Sequence, residues 1–109
     1  MRKNSLSREK DILRALRGKP FFSKYFTIKA IKSAENSFRY TIIVSKKVLK
    51  LAVDRNKFKR RARSIISSQL GQINNKIDFV IVAKKGVEKA TFAEIKEDVI
   101  RGLFKLRIV

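Results

Sequence analysis

The 109-residue chain contains no cysteine, no histidine and no tryptophan. Without Cys there are no disulfides and no thiolate ligands; without His there is no imidazole base, no Ser-His arrangement and no common zinc set. A reducing cytoplasm is the expected compartment. Proline occurs once and glycine four times, and there is no internal repeat, low-complexity tract or interdomain linker. No apolar run is long enough to cross a bilayer, no signal-peptide core is visible, and the longest uncharged stretch, Ser64 to Asn75, is half polar, so a soluble chain is expected. Acidic residues are the other scarcity: 9 Asp and Glu stand against 28 Lys and Arg, a net charge of +19. A hydrophobic fraction of 44% nevertheless excludes a disordered basic tail. One domain over residues 1–109 is expected, with a polyanion as partner and nucleic acid as the leading candidate.

The positive charge is concentrated. Lys46 to Arg63 holds nine basic residues against one acid, Asp54. Within it Phe58, Ala62, Ile65, Ile66 and Leu70 recur every three or four residues, the stripe of an amphipathic helix, with Asp54 expected as its N-cap. Asn56, Lys57, Lys59, Arg60, Arg61 and Arg63 then fan over the rest of the surface. An ordinary solvated helix alternates charge signs; this ridge has no acid, and neighbouring like charges repel by a few tenths of a kcal/mol per pair. Arg55, Lys57 and Lys59 also sit near the helix start, where the macrodipole favours anions. A bound phosphate would relieve both penalties.

Around this segment the chain reads as α, β, β, α, β, α. Ser7 is expected to cap a first helix from Arg8 to Arg17, ended at Gly18, with Ile12, Leu13 and Leu16 as a narrow apolar stripe that could form one wall of a groove. Phe21 to Ile31 and Phe38 to Ser45 alternate as strands, joined by a polar turn from Ser33 to Ser37 into an expected antiparallel hairpin. Gly71 to Lys76 is a loop, and Phe79 to Ala83 reads as a central strand covered on both faces. Thr91 to Glu94 is a capping box opening a last helix whose buried stripe is Phe92, Ile95, Val99, Leu103 and Leu106. Its acids lie early and its bases late, so this helix follows the dipole rule that the basic helix breaks.

Ser45-Lys46-Lys47 followed by Arg55-Asn56-Lys57-Phe58-Lys59-Arg60-Arg61 resembles the signature of the bacterial ribonuclease P protein subunit, and the similarity runs from Leu6 through Asp78 to Gly86 and into the last helix. The resemblance implies an α+β fold, a single-domain two-layer sandwich with a left-handed β-α-β crossover. It also implies a protein that is not itself the catalyst: a large RNA removes the 5′ leader of precursor tRNA with Mg²⁺, and the protein binds that RNA and the leader, with no metal or cofactor of its own. Carried over by position, Lys46, Lys47, Arg55, Asn56, Lys57, Lys59, Arg60, Arg61 and Arg63 would hold the RNA subunit, while Ile12, Leu16 and Lys29 would line the leader cleft. A monomeric protein bound one to one with its RNA is implied. Three departures stand out: Lys57 replaces the middle Arg of the usual R-N-R, Ile12 and Leu16 occupy positions where Phe is usual, and the loop from Val48 to Asp54 is one residue longer, with Leu49 where Gly is frequent.

Two other readings compete with an RNA-binding ribozyme cofactor. A ribosomal or ribosome-associated protein would share the charge and size, and copurifying RNA would separate the two. A protein-only nuclease would need clustered carboxylates for Mg²⁺. The acids are scattered, with Glu9, Asp11 and Asp78 left without an assigned role.

Overall fold

In the computed structural model the chain is described over residues 5–33, 37–73 and 76–108, with the side chain of Leu70 excepted. The basic lead at 1–4, most of the turn that contains Glu35, and positions 74–75 of the loop before the last strand lie outside the described residues. The elements are α1 (Glu9–Leu16), β1 (Lys19–Phe22), β2 (Phe26–Lys32), β3 (Arg39–Ile43), α2 (Ala52–Ser67), β4 (Ile77–Ala83) and α3 (Phe92–Lys105), with short 3-10 turns at Leu70–Gln72 and Val87–Lys89.

The four strands form one sheet in the order β1-β2-β4-β3. β4 is apolar on both faces, so it gains most from the centre of the sheet, where it pairs antiparallel with β2 and parallel with β3. Two strand expectations change as a result. The hairpin between the second and third strands does not form, because β4 lies between them and the β3–α2–β4 connection is a parallel crossover. The expected strand from Phe21 to Ile31 is itself a hairpin, β1 with β2, broken where the Ser23 hydroxyl accepts from the amides of Tyr25 at 3.1 Å and Phe26 at 3.3 Å. A serine bonding to backbone two and three residues on offers the chain a turn in place of a continued ladder.

Alternation sorts the sheet residues onto two faces. Phe26, Ile28, Ile42, Phe79 and Ile81 meet Phe58, Ala62, Ile65 and Ile66 of α2 and Ile95, Val99 and Leu103 of α3 in the main core. Val80 points the other way, buried with Leu6 and Ala15, and Ile12, Leu16, Ile31 and Val82 pack around them. The central strand is covered on both faces, as its unbroken apolar run implies.

The helix starts differ from expectation. α1 begins after Arg8 and not after Ser7, and α2 begins after Leu51, in both cases without a side-chain cap. Asp54 therefore sits in the first turn of α2, still on the favourable side of the dipole. The expected box at the third helix is present: the Thr91 hydroxyl accepts from the Glu94 amide at 3.1 Å and the Glu94 carboxylate from the Thr91 amide at 3.0 Å. Phe92 leaves the predicted stripe and is 41% exposed at the first position of α3. Gly18 is required by closeness rather than by a left-handed turn, since a Cβ there would lie 2.1 Å from the Ala30 carbonyl oxygen.

Candidate nucleic-acid interface

The polar surface of α2 divides in two. Asn56, Lys59, Arg60 and Arg63, an i, i+3, i+4, i+7 set on one helix face, line one shallow cationic cleft. Lys57 and Arg61 turn toward α3 and border a cavity of about 170 Å³ shared with Leu49, Phe58, Val87 and Ile95 and rimmed by the carboxylates of Asp54 and Glu88. The Arg61 guanidinium lies 5.9 Å from the centroid of the exposed Phe92 ring. Among the described residues no carboxylate forms an ion pair with Lys57, Lys59, Arg60, Arg61 or Arg63. Among the described residues the charge of this ridge has no ion-pair partner, in keeping with the acid-free sequence.

Arg55 behaves differently from its neighbours. Its guanidinium donates to the carbonyls of Leu49 at 2.9 Å and Lys50 at 2.8 Å, so it clasps the loop that leads into α2. Lys46 and Lys47 are exposed in a turn in which the Ser45 carbonyl accepts from the amides of Val48 and Leu49, both at 3.1 Å.

The three residues expected in the leader cleft share one side of the sheet. Ile12 and Leu16 pack half-buried over Val80, while Leu13 faces outward. Lys29 is the register partner of Val80 on β2, which places it on the same face as α1 and opposite to α2 and α3. α1 thus packs across this sheet face through Ile12 and Leu16, with Lys29 on the same face.

What holds α1 there was not legible from residue patterns. Asp78, fully buried on β4, accepts from Arg39 on β3, Nε to Oδ1 at 3.0 Å and Nη2 to Oδ2 at 2.8 Å, and from Arg14 Nη2 on α1 at 2.9 Å. Arg39 Nη1 donates in turn to Asp11 on α1 at 3.2 Å. An acid second in a strand whose other residues are apolar is the one sequence signal that pointed to such a network.

Asp11 and Asp78 are engaged by arginines, Glu94 by the helix cap and Asp98 by Arg101 at 3.2 Å, and no group of three acidic side chains lies together among the described residues. The Glu94 carboxyl is held below its ordinary value, first by the hydrogen bond from the Thr91 backbone and then by the Thr91 and Tyr25 hydroxyls and the charge of Lys24, against partial desolvation.

A small α+β domain whose α2 presents Asn56, Lys59, Arg60 and Arg63 on a cationic cleft has the charge pattern of a nucleic-acid-binding domain. The family model for Ribonuclease P matches residues 1–107, and the chain belongs to that family. The ribonuclease P protein component of Streptococcus pneumoniae strain Hungary19A-6 is 38% identical over 105 residues, covering 94% of this chain and 85% of the relative. Among solved structures, the ribonuclease P protein of Staphylococcus aureus has the same fold, with a TM-score of 0.88 at 23% identity over 98% of both chains. The ribonuclease P protein of Thermotoga maritima superposes with a TM-score of 0.77 at 27% identity, over 89% of this chain and 92% of that one. No helix among the described residues is long and apolar enough to cross a membrane.

Proposed function

We propose that the chain is the protein component of a cytoplasmic ribonuclease P, in which an RNA subunit cuts the 5′ leader from precursor tRNA and a single copy of the protein holds RNA on two surfaces. The cationic face of α2, with Lys46 and Lys47 beside it, takes the RNA subunit; the groove of Ile12, Leu16 and Lys29 takes the single-stranded leader. The observation that carries this reading is the acid-free ridge of Asn56, Lys59, Arg60 and Arg63, a cationic surface with no ion-pair partner among the described residues. Its charges supply what RNA packed against RNA otherwise takes from bound counter-ions. Mg²⁺ belongs, in this reading, to the RNA-containing holoenzyme, and no step is assigned to a metal on the protein. Arg55 contributes indirectly, by fixing the loop from which α2 starts.

The test is cleavage of precursor tRNA at low Mg²⁺ by the protein, the RNA subunit and the two together. Cleavage by the pair alone is the expected result. Cleavage by RNA-free protein, abolished by changing Glu9, Asp11 or Asp78, would overturn the reading.

A further inference from the structure

Two adjacent phenylalanines close β1, and the strand's alternation sends them to opposite sides. Phe21 enters the main core against α3, so closely that a Cβ on Gly102 would lie 2.7 Å from its ring. Phe22 is the register partner of Thr27, which is paired with Val82, and therefore lies on the groove face with Lys29 and Val80. It is 68% exposed. Lys84 crosses beside it, with Nζ 5.4 Å from the ring centroid and anchored by a hydrogen bond of 2.7 Å to the Ser23 carbonyl. One side of the ring is braced, and most of its area remains open to solvent.

An exposed aromatic can be an incidental surface residue, and three features argue against that here. The ring sits on a paired strand rather than on a loose loop. Lys29 is its diagonal neighbour across the β1–β2 pair, a separation of roughly 7–8 Å, so one nucleotide step could place a base on the ring and a phosphate near an ammonium. The α1 wall, finally, offers only the aliphatic Ile12 and Leu16, which cannot stack.

We propose that Phe22, braced by Lys84, is a base-stacking platform for single-stranded RNA on the sheet wall of the groove, and that it supplies the aromatic surface α1 lacks. The identity of that RNA as leader rests on the cleft reading above; the stacking itself does not. Stacking on a π-face is sequence-tolerant, so the platform would hold any leader base, purines best by area.

The chain has no tryptophan, so Phe22→Trp installs a single reporter at the site. Titration with a single-stranded RNA octamer should quench its fluorescence, whereas an abasic ribose-phosphate oligomer of equal charge should not. In reconstituted holoenzyme, Phe22→Leu should lower precursor affinity about five-fold, the low end for one stacked base, with mature tRNA affinity and melting temperature unchanged and Phe22→Tyr close to wild type. Equal quenching by both oligomers, or full precursor affinity in Phe22→Leu, would overturn the platform. If leader-length dependence persists and is lost in Lys29→Ala while Phe22 variants are silent, the platform falls and the cleft reading stands. If RNA quenches the reporter but holoenzyme affinity ignores leader length, the platform stands and the leader assignment falls.

Discussion

Asp78 and Arg39 face each other across the parallel β3–β4 pair and share two hydrogen bonds, at 3.0 and 2.8 Å, around a carboxylate that has no exposed surface. Arg14 closes the remaining side of Asp78, and Asp11 takes the outer nitrogen of Arg39. Both added partners come from α1, an eight-residue helix with no side-chain cap. Its apolar contact is confined to Ala15 with Ile12 and Leu16 beside it. A helix that short is marginal by itself, so its position depends on what it docks against.

Removing the carboxylate should therefore release α1 as well as destabilise the fold. Asp78→Ala leaves two arginines facing a buried gap, and a loss of about 3 kcal/mol is expected, the low end for a broken buried pair because Arg14 can swing to solvent. Arg14→Ala, which leaves the Arg39–Asp78 pair intact, should cost about half as much. Urea unfolding of the three proteins checks the order, and an equal loss for both variants would show that Arg39 alone does not hold Asp78.

Arg55 and Arg60 lie a little over one turn apart on α2 and should respond differently to removal. Arg60→Ala should reduce the salt dependence of RNA-subunit binding by roughly 0.7 to 0.9 in slope with no change in melting temperature. Arg55→Ala should also lower the melting temperature, because the carbonyls of Leu49 and Lys50 lose their shared donor, at a cost of about 1 kcal/mol. Binding measured from low to moderate salt, beside thermal unfolding, separates the two. A stable Arg55→Ala protein would mean that the loop holds itself.

Glu94 ties the capping box to acid stability. Its carboxyl is held below the ordinary value of 4.5, chiefly by the Thr91 backbone, so it stabilises the fold above that value and the contribution disappears as pH falls through its lowered pKa. Glu94→Gln should thus melt below wild type at neutral pH, and the gap should narrow as the pH drops below 4.5. Parallel melting curves from neutral to acid pH show this directly; a gap constant across that range would contradict it.

Periodicity was a good guide wherever one surface of an element is buried against one other. The α2 stripe from Phe58 to Ile66, the α3 stripe apart from Phe92, the apolar run of β4 and the Thr91 box all follow from residue types alone. It was a poor guide to partners. Nothing local in Phe21 to Ile31 distinguishes one long strand from a tight hairpin except Ser23, and nothing in β2 or β3 says that a strand from far down the chain will come between them. The acid-free cationic ridge was legible because it breaks a rule of helix electrostatics that needs no partner to state. The four-residue network on Asp78 was not, since it joins residues distant in sequence, and neither were the clasp of Arg55 and the outward turn of Phe22, which depend on a side chain folding back on its own loop and on the register of a hairpin.

The order of the sheet also bears on when it can exist during synthesis. β2 and β3 each take their inner pairing from β4, with Lys32 opposite Ile77 and Arg39 opposite Asp78. Until residues 77–83 have left the ribosome, the only ladder available is the small β1–β2 hairpin, and α1 has neither the Asp78 carboxylate nor Val80 to dock on. Pairings of such long sequence separation form slowly, because the intervening loop must be ordered before they reward it. The nascent chain therefore carries most of its positive charge, α2 included, before it has a core. In that interval it is an unfolded polycation among RNA, and the sheet face on which α1 rests comes into being only when the last strand slides between the two that wait for it.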